Sequence, residues 1–115
     1  MKLTGQCKED FEKCYEDKYG VLPEDFSNEC TFYELDDNMQ YGVYVDFFDS
    51  VGIHVSMVYS MTANTEVNMK EEYRYSIIFF DKIDTSICSI SFTESSRQEA
   101  RAKAIEKANE IYNAK

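Results

Sequence analysis

Apolar and polar positions recur along this chain in two different periods. Over residues 4–19, Cys7, Phe11, Cys14, Tyr15 and Lys18 fall at the i, i+4, i+7, i+8, i+11 spacing of one helical stripe, the aliphatic stem of Lys18 extending it. Thr4 suits the N-cap, and Gly20 followed by Pro23 suits the stop, because glycine accepts the left-handed conformation past the last turn and proline cannot continue a helix. Residues 21–40 keep no period; Pro23 can open a short helical turn, and Asp36-Asp37-Asn38 reads as turn chemistry. From Tyr41 the period shortens to two. Tyr41, Val43, Val45 and Phe47 alternate with other residues, and Ile53, Val55, Met57, Tyr59 and Met61 do the same, which predicts a β-hairpin over 41–61. A three-residue loop, Ser50-Val51-Gly52, keeps the odd-numbered positions of both strands on one face. A polar connection over 62–71 leads to a third strand, Glu72–Phe80, with Tyr73, Tyr75, Ile77 and Phe79 on one face. Asp81-Lys82-Ile83-Asp84 turns the chain into a fourth strand, Ile87–Phe92, with Cys88, Ile90 and Phe92 inward. Ser96-Arg97-Gln98-Glu99 is a capping box. It opens a helix reaching Asn113, whose stripe is Ala100, Ala104, Ile105, Ala108, Ile111 and Tyr112.

The expected fold is therefore α+β: a single domain over residues 1–115, with an antiparallel four-stranded meander and the N- and C-terminal helices on one face (α-β-β-β-β-α), carrying an acidic irregular insert over 21–40. On that register the opposite sheet face holds Tyr44, Asp46, Phe48, His54, Ser56, Val58, Arg74, Ile78 and Phe80. Tyr44, Phe48, His54 and Phe80 would then form an exposed aromatic face, suited to a partner or to a homodimer.

Charge sharpens the picture more than composition does. The net charge is -10, and residues 1–50 hold 13 acids against 4 bases, a balance of -9. From Tyr19 to Met69 there is no Lys or Arg, while Glu24, Asp25, Glu29, Glu34, Asp36, Asp37, Asp46, Asp49 and Glu66 fall in that stretch. A field of one sign over so much chain repels nucleic acid and anionic membrane and attracts basic protein surfaces. Glu24, Asp25, Glu29, Glu34, Asp36, Asp37, Asp46 and Asp49 are thus the candidate partner-binding residues. Arg97, Arg101, Lys103 and Lys107 decorate the last helix as a solvated face, or as a small anion site at its start.

Chemistry-bearing constellations are sparse. His54 is the single histidine, with Asp46 and Ser56 near it on the expected face, but no nucleophile elbow or oxyanion donor accompanies them. Asp46 and Asp49 would point to opposite faces of a strand, which spoils a paired-carboxylate site. Asp36-Asp37-Asn38 lacks EF-hand spacing, the four glycines are scattered, and Cys7, Cys14, Cys30 and Cys88 form no CxxC. No catalytic residue, metal or cofactor is expected, and the chain reads as a non-enzyme. The opening Met1–Glu9 has no apolar core of a signal peptide and no stretch is long enough to span a bilayer, so a cytoplasmic protein with reduced cysteines is expected.

Two resemblances follow from quoted segments. The layout, with Ser95-Ser96-Arg97-Gln98-Glu99-Ala100-Arg101-Ala102-Lys103-Ala104 at its last helix, resembles the double-stranded-RNA-binding domain. Gln98 and Glu99 stand where that family has bases, so the likeness implies a layout and not RNA binding. The segments Met1-Lys2-Leu3-Thr4-Gly5, Cys7–Lys13, Tyr41–Ile53 and Glu99–Asn113 resemble small proteins of phages and prophages of gut bacteria. That family carries no assigned activity, and what the resemblance implies is a phage context, with the host cytoplasm as location. The expected function is an anti-defence inhibitor of the anti-CRISPR kind, whose acids occupy a basic, nucleic-acid-binding surface of a host protein. The alternatives are a small-molecule or nucleotide sponge and a homodimeric accessory phage protein.

Overall fold

The computed structural model describes residues 1–25, 30–63, 69–81 and 85–114. Helix α1, Gly5–Tyr19, buries Cys7 and Phe11 and half-buries Cys14 and Tyr15, following the expected stripe. It ends at Gly20, which takes the left-handed conformation (φ 79°) and donates its N–H to the Glu16 carbonyl at 2.8 Å. Thr4 occupies the N-cap position, but its hydroxyl caps nothing. The helix start is closed instead from the far end of the chain, where Asn113 Oδ1 accepts the Cys7 N–H at 2.9 Å. Gly5 permits this approach. Its φ is +61°, and a Cβ there would lie 3.2 Å from Asn113 Nδ2.

The segment expected as the first strand is a helix. Helix α2, Asp37–Ser50, begins where the Asp36 carboxylate accepts the Met39 N–H at 3.0 Å, with Asp37 in the first turn favoured by the positive end of the helix. Gln40, Tyr44, Phe47 and Phe48 are buried, an i, i+4, i+7, i+8 stripe. Tyr41, Val43 and Val45, which supplied the alternation, are its half-buried flanks. Gly52 takes a left-handed φ of 84° as expected, but it turns the chain from a helix into a strand and does not close a hairpin. The 21–40 segment is only partly irregular: Phe32–Glu34 forms a 3-10 turn whose Phe32 enters the core, as does Pro23.

Among the described residues three strands form one antiparallel meander: β1 (Ile53–Ala63), β2 (Met69–Asp81) and β3 (Ser86–Glu94), in that spatial order. The four-stranded expectation is thereby corrected to three strands and three α-helices in an α+β domain. The strands take in residues 62–63 and 69–71 of the expected connection; 64–68 and 82–84 lie outside the described residues. Register places Ile53, Phe79 and Cys88 in one row, Val55, Ile77 and Ile90 in the next, and Met57, Tyr75 and Phe92 in a third. All face the helices. Helix α2 lies against β1, and α3 (Arg97–Asn113) lies across β2 and both edge strands. Ala100, Ala104 and Ala108 are fully buried, so the absence of long side chains lets α3 approach the sheet closely, as its stripe predicts. Ser96 caps α3 by accepting the Glu99 N–H at 3.1 Å.

Helix α1 is held by its neighbouring helices. Phe11 packs on Tyr44 and Phe47, with ring centroids 5.0 and 5.4 Å away, and on Phe32 at 5.5 Å. At the other end, Asn109 of α3 is buried: its Oδ1 accepts the Thr4 N–H and its Nδ2 donates to the Thr4 hydroxyl, both at 2.9 Å. Replacing Asn109 with alanine removes both hydrogen bonds while exposed Thr4 can turn to water, and a loss of about 1–3 kcal/mol, the net worth of two such bonds, is expected. Chemical denaturation measures it; an unchanged midpoint would show that the clasp contributes nothing.

Candidate interaction surface

The described carboxylates singled out by sequence lie on α2 and its cap, on the 3-10 turn and in the segment after α1. Glu24 and Asp25 are exposed beyond α1, and Glu29 lies outside the described residues. Glu34 is exposed on the 3-10 turn, where its carboxylate also accepts the Thr31 N–H at 3.3 Å. Asp36 and Asp37 mark the start of α2. Asp46 and Asp49, three residues apart on a helix, share its outward face, and are not on opposite sides of a strand as expected. Asp49 Oδ1 lies 3.0 Å from His54 Nδ1, an exposed pair joining the last turn of α2 to the start of β1.

The aromatic face divides. Tyr44 and Phe48 are fully buried between α2 and the sheet, so they belong to no surface; the turn that makes 37–50 a helix puts them in the core. The Tyr44 hydroxyl has no hydrogen-bond partner among the described residues, and burial first, then the nearby Cys7 thiol, pushes it up to about 12. His54 and Phe80 do lie on the open sheet face, Phe80 being 52% exposed, and the cross-strand neighbour of His54 is Ile78. Around them Ser56 and Ser76 hydrogen-bond at 2.8 Å, and Val58, Arg74 and Ile78 are exposed. This face mixes hydroxyl groups with exposed apolar side chains, Phe80 standing directly opposite Ile87.

The stretch without bases is less isolated in space than in sequence. Arg101 of α3 lies over the Tyr41 ring at 5.4 Å and donates to Asn38 Oδ1, bringing a guanidinium to the first turns of α2. Lys2 and Lys8 line, with Asp37, Tyr33 and Gln40, a cleft of about 460 Å³. Lys18 and Asp46 line a smaller one of about 130 Å³ between α1 and α2. The other bases of α3 are also occupied: Arg97 lies 5.6 Å over the Tyr73 ring, Lys103 sits 3.8 Å from Glu94, and Lys107 pairs with Glu110 at 3.1 Å. With Ser96 already filling the helix start, these bases do not converge on an anion site.

Burial pushes the Cys7 thiol up to about 12, with Asp10 adding to the shift, so it behaves as a small apolar side chain. Asp10 is held below the usual carboxylate range, chiefly by the hydrogen bond from the Tyr112 hydroxyl and next by Gln6. That same bond is the largest cause pushing Tyr112 up to about 12. No group of three or more His, Cys, Asp or Glu side chains placed to hold a metal occurs among the described residues, and no helix there is long and apolar enough to cross a membrane.

Gln40 and Asn109 were not singled out by sequence, and both are buried organisers. Gln40 Nε2 donates to the carbonyls of Tyr33 and Leu35 at 3.1 and 2.8 Å, tying the 3-10 turn to α2. The available signal was spacing: each lies four residues from a core member of its own helix, Tyr44 and Ile105. Comparison with protein-family models, with curated proteins and with solved structures returned no match.

Proposed function

We propose that the chain is a non-enzymatic acidic binding protein whose helical layer occupies a basic, nucleic-acid-binding surface of another protein. One observation carries the reading. Residues 1–50, which include α1, the 3-10 turn and α2, hold -9 of the net -10, and their described candidate carboxylates are exposed. Carboxylates fixed on a helix and its cap stand in for phosphates: they accept charge-assisted hydrogen bonds from Arg and Lys and steer a basic partner before contact. The resemblance of its segments to phage-encoded proteins supports, as that partner, a host defence protein that grips nucleic acid, such as a CRISPR effector, and as the role an anti-defence inhibitor in the host cytoplasm.

The test replaces Asp36, Asp37, Asp46 and Asp49 together with asparagine, which takes the net charge from -10 to -6. Asparagine still caps α2, so the fold is expected to survive. A partner captured from host lysate by the unaltered chain should lose affinity steeply with added salt, release its nucleic acid, and bind the four-fold variant at least tenfold more weakly. Affinity that is flat from low to high ionic strength overturns the mimicry.

A further inference from the structure

Among the described residues the sheet ends in β3, an edge strand that lacks, from Ser86 to Thr93, the charge and proline which usually guard such edges. Natural edge strands are blunted by charge, proline, bulges or an overlying element. Among the described residues, strand β3 is paired with β2 on one side only, in continuous register from Asp81 opposite Ser86 to Tyr73 opposite Glu94. From Ser86 to Thr93 it carries neither a charged residue nor a proline. Its inward side chains are incompletely covered. Cys88 and Ile90 are half-buried and Phe92 is 36% exposed, whereas Tyr75 and Ile77 on the neighbouring strand are buried. The core therefore thins out towards β3, with the Lys107 ammonium 5.7 Å over the Phe92 ring as its rim. The opposite edge differs: Ile53 and Val55 of β1 are buried, and α2 lies against that strand.

The pattern of β3 fits its own copy. Paired antiparallel about Ile90, the strand sets Ile90 against Ile90, Ser89 against Ser91, Cys88 against Phe92 and Ile87 against Thr93. Apolar residues thus continue the core side, and hydroxyl groups with Ile87 continue the open face. Like charges meet nowhere along it, since the Glu94 of each copy reaches the Ser86 of the other. The repulsion expected of two chains at -10 is also displaced. The acids of α2 lie over β1, at the far side of the sheet, while residues 94–115 balance at +1. Above the edge, α3 presents Lys103 and Lys107 among Glu106 and Glu110, a rim of both signs.

We propose that two copies of this chain join edge to edge through β3, making one continuous six-stranded antiparallel sheet that carries an acidic helical layer at each end. The proposal rests on the sheet edge and not on the carboxylates, so it stands or falls apart from the binding role above. Light scattering on the eluting protein should give twice 13.4 kDa. Changing Ser89→Lys and Ser91→Lys, both exposed, would set lysine against lysine across the two-fold axis and return the mass to 13.4 kDa with unchanged circular dichroism. Phe92→Cys should give an oxidised covalent dimer that Cys88→Ser abolishes. A monomeric unaltered chain overturns the proposal. So does a dimer that persists with the two lysines, which would place the contact elsewhere, or growth beyond a dimer, which would mean head-to-tail pairing of β1 with β3.

Discussion

Truncating Phe48 to alanine is expected to lower the unfolding free energy by about 3–5 kcal/mol, the range for removing a fully enclosed aromatic ring. The ring has no solvent exposure, lies 5.3 Å from that of Phe47 and belongs to the core cluster that includes Ile53. Asp46→Ala, two residues earlier on the outward face of the same helix, should change stability by less than about 0.5 kcal/mol. Urea unfolding followed by circular dichroism reads both. If Phe48→Ala costs less than about 1 kcal/mol, well under the core range, the ring is at the surface and the segment is not this helix.

Phe48 is also where sequence and fold part company. The stretch from Tyr41 to Phe48 is rich in β-branched and aromatic residues and alternates convincingly. It satisfies two templates at once, however: alternation through 41, 43, 45 and 47, and a helical stripe through 40, 44, 47 and 48. Local preference favours the strand. What decides for the helix is partly local, the Asp36 cap, and partly remote: the other three strands are complete without 41–48, and α3 with its alanines leaves room for a second helix over β1. That remote term cannot be seen in a window of residues. Where a segment fits one template only, the reading held: the α1 stripe, the inward faces of β2 and β3, the Ser96 cap and the alanine stripe of α3 were all legible.

The candidate surface was legible in a different degree. Charge is additive along the chain, so the imbalance of residues 1–50 was visible directly, and their exposure followed from their chemistry. Which carboxylates share a face was not visible, because Asp46 and Asp49 point apart on a strand and together on a helix. Nor was the arrival of Arg101 beside Asn38, a contact between residues 63 apart. A stretch without bases in sequence becomes a surface with a guanidinium at one end.

The two-layer arrangement makes neighbouring residues of β2 behave as opposites. Ile77 has no exposure and sits between Val55 and Ile90 beneath the helices, whereas Ile78 is 45% exposed between His54 and Ser89 on the open face. Ile77→Ala should therefore cost about 2–5 kcal/mol, since burial and the resulting cavity both count against it. Ile78→Ala should stay within about 0.5 kcal/mol, because a side chain already in water has little transfer energy to lose. The pair differs by one residue and shares one chemistry, so strand propensity cancels between them and only coverage remains. Equal large losses would mean that something covers the second face too, and a loss that vanishes on dilution to the monomer would identify that cover as another copy of the chain.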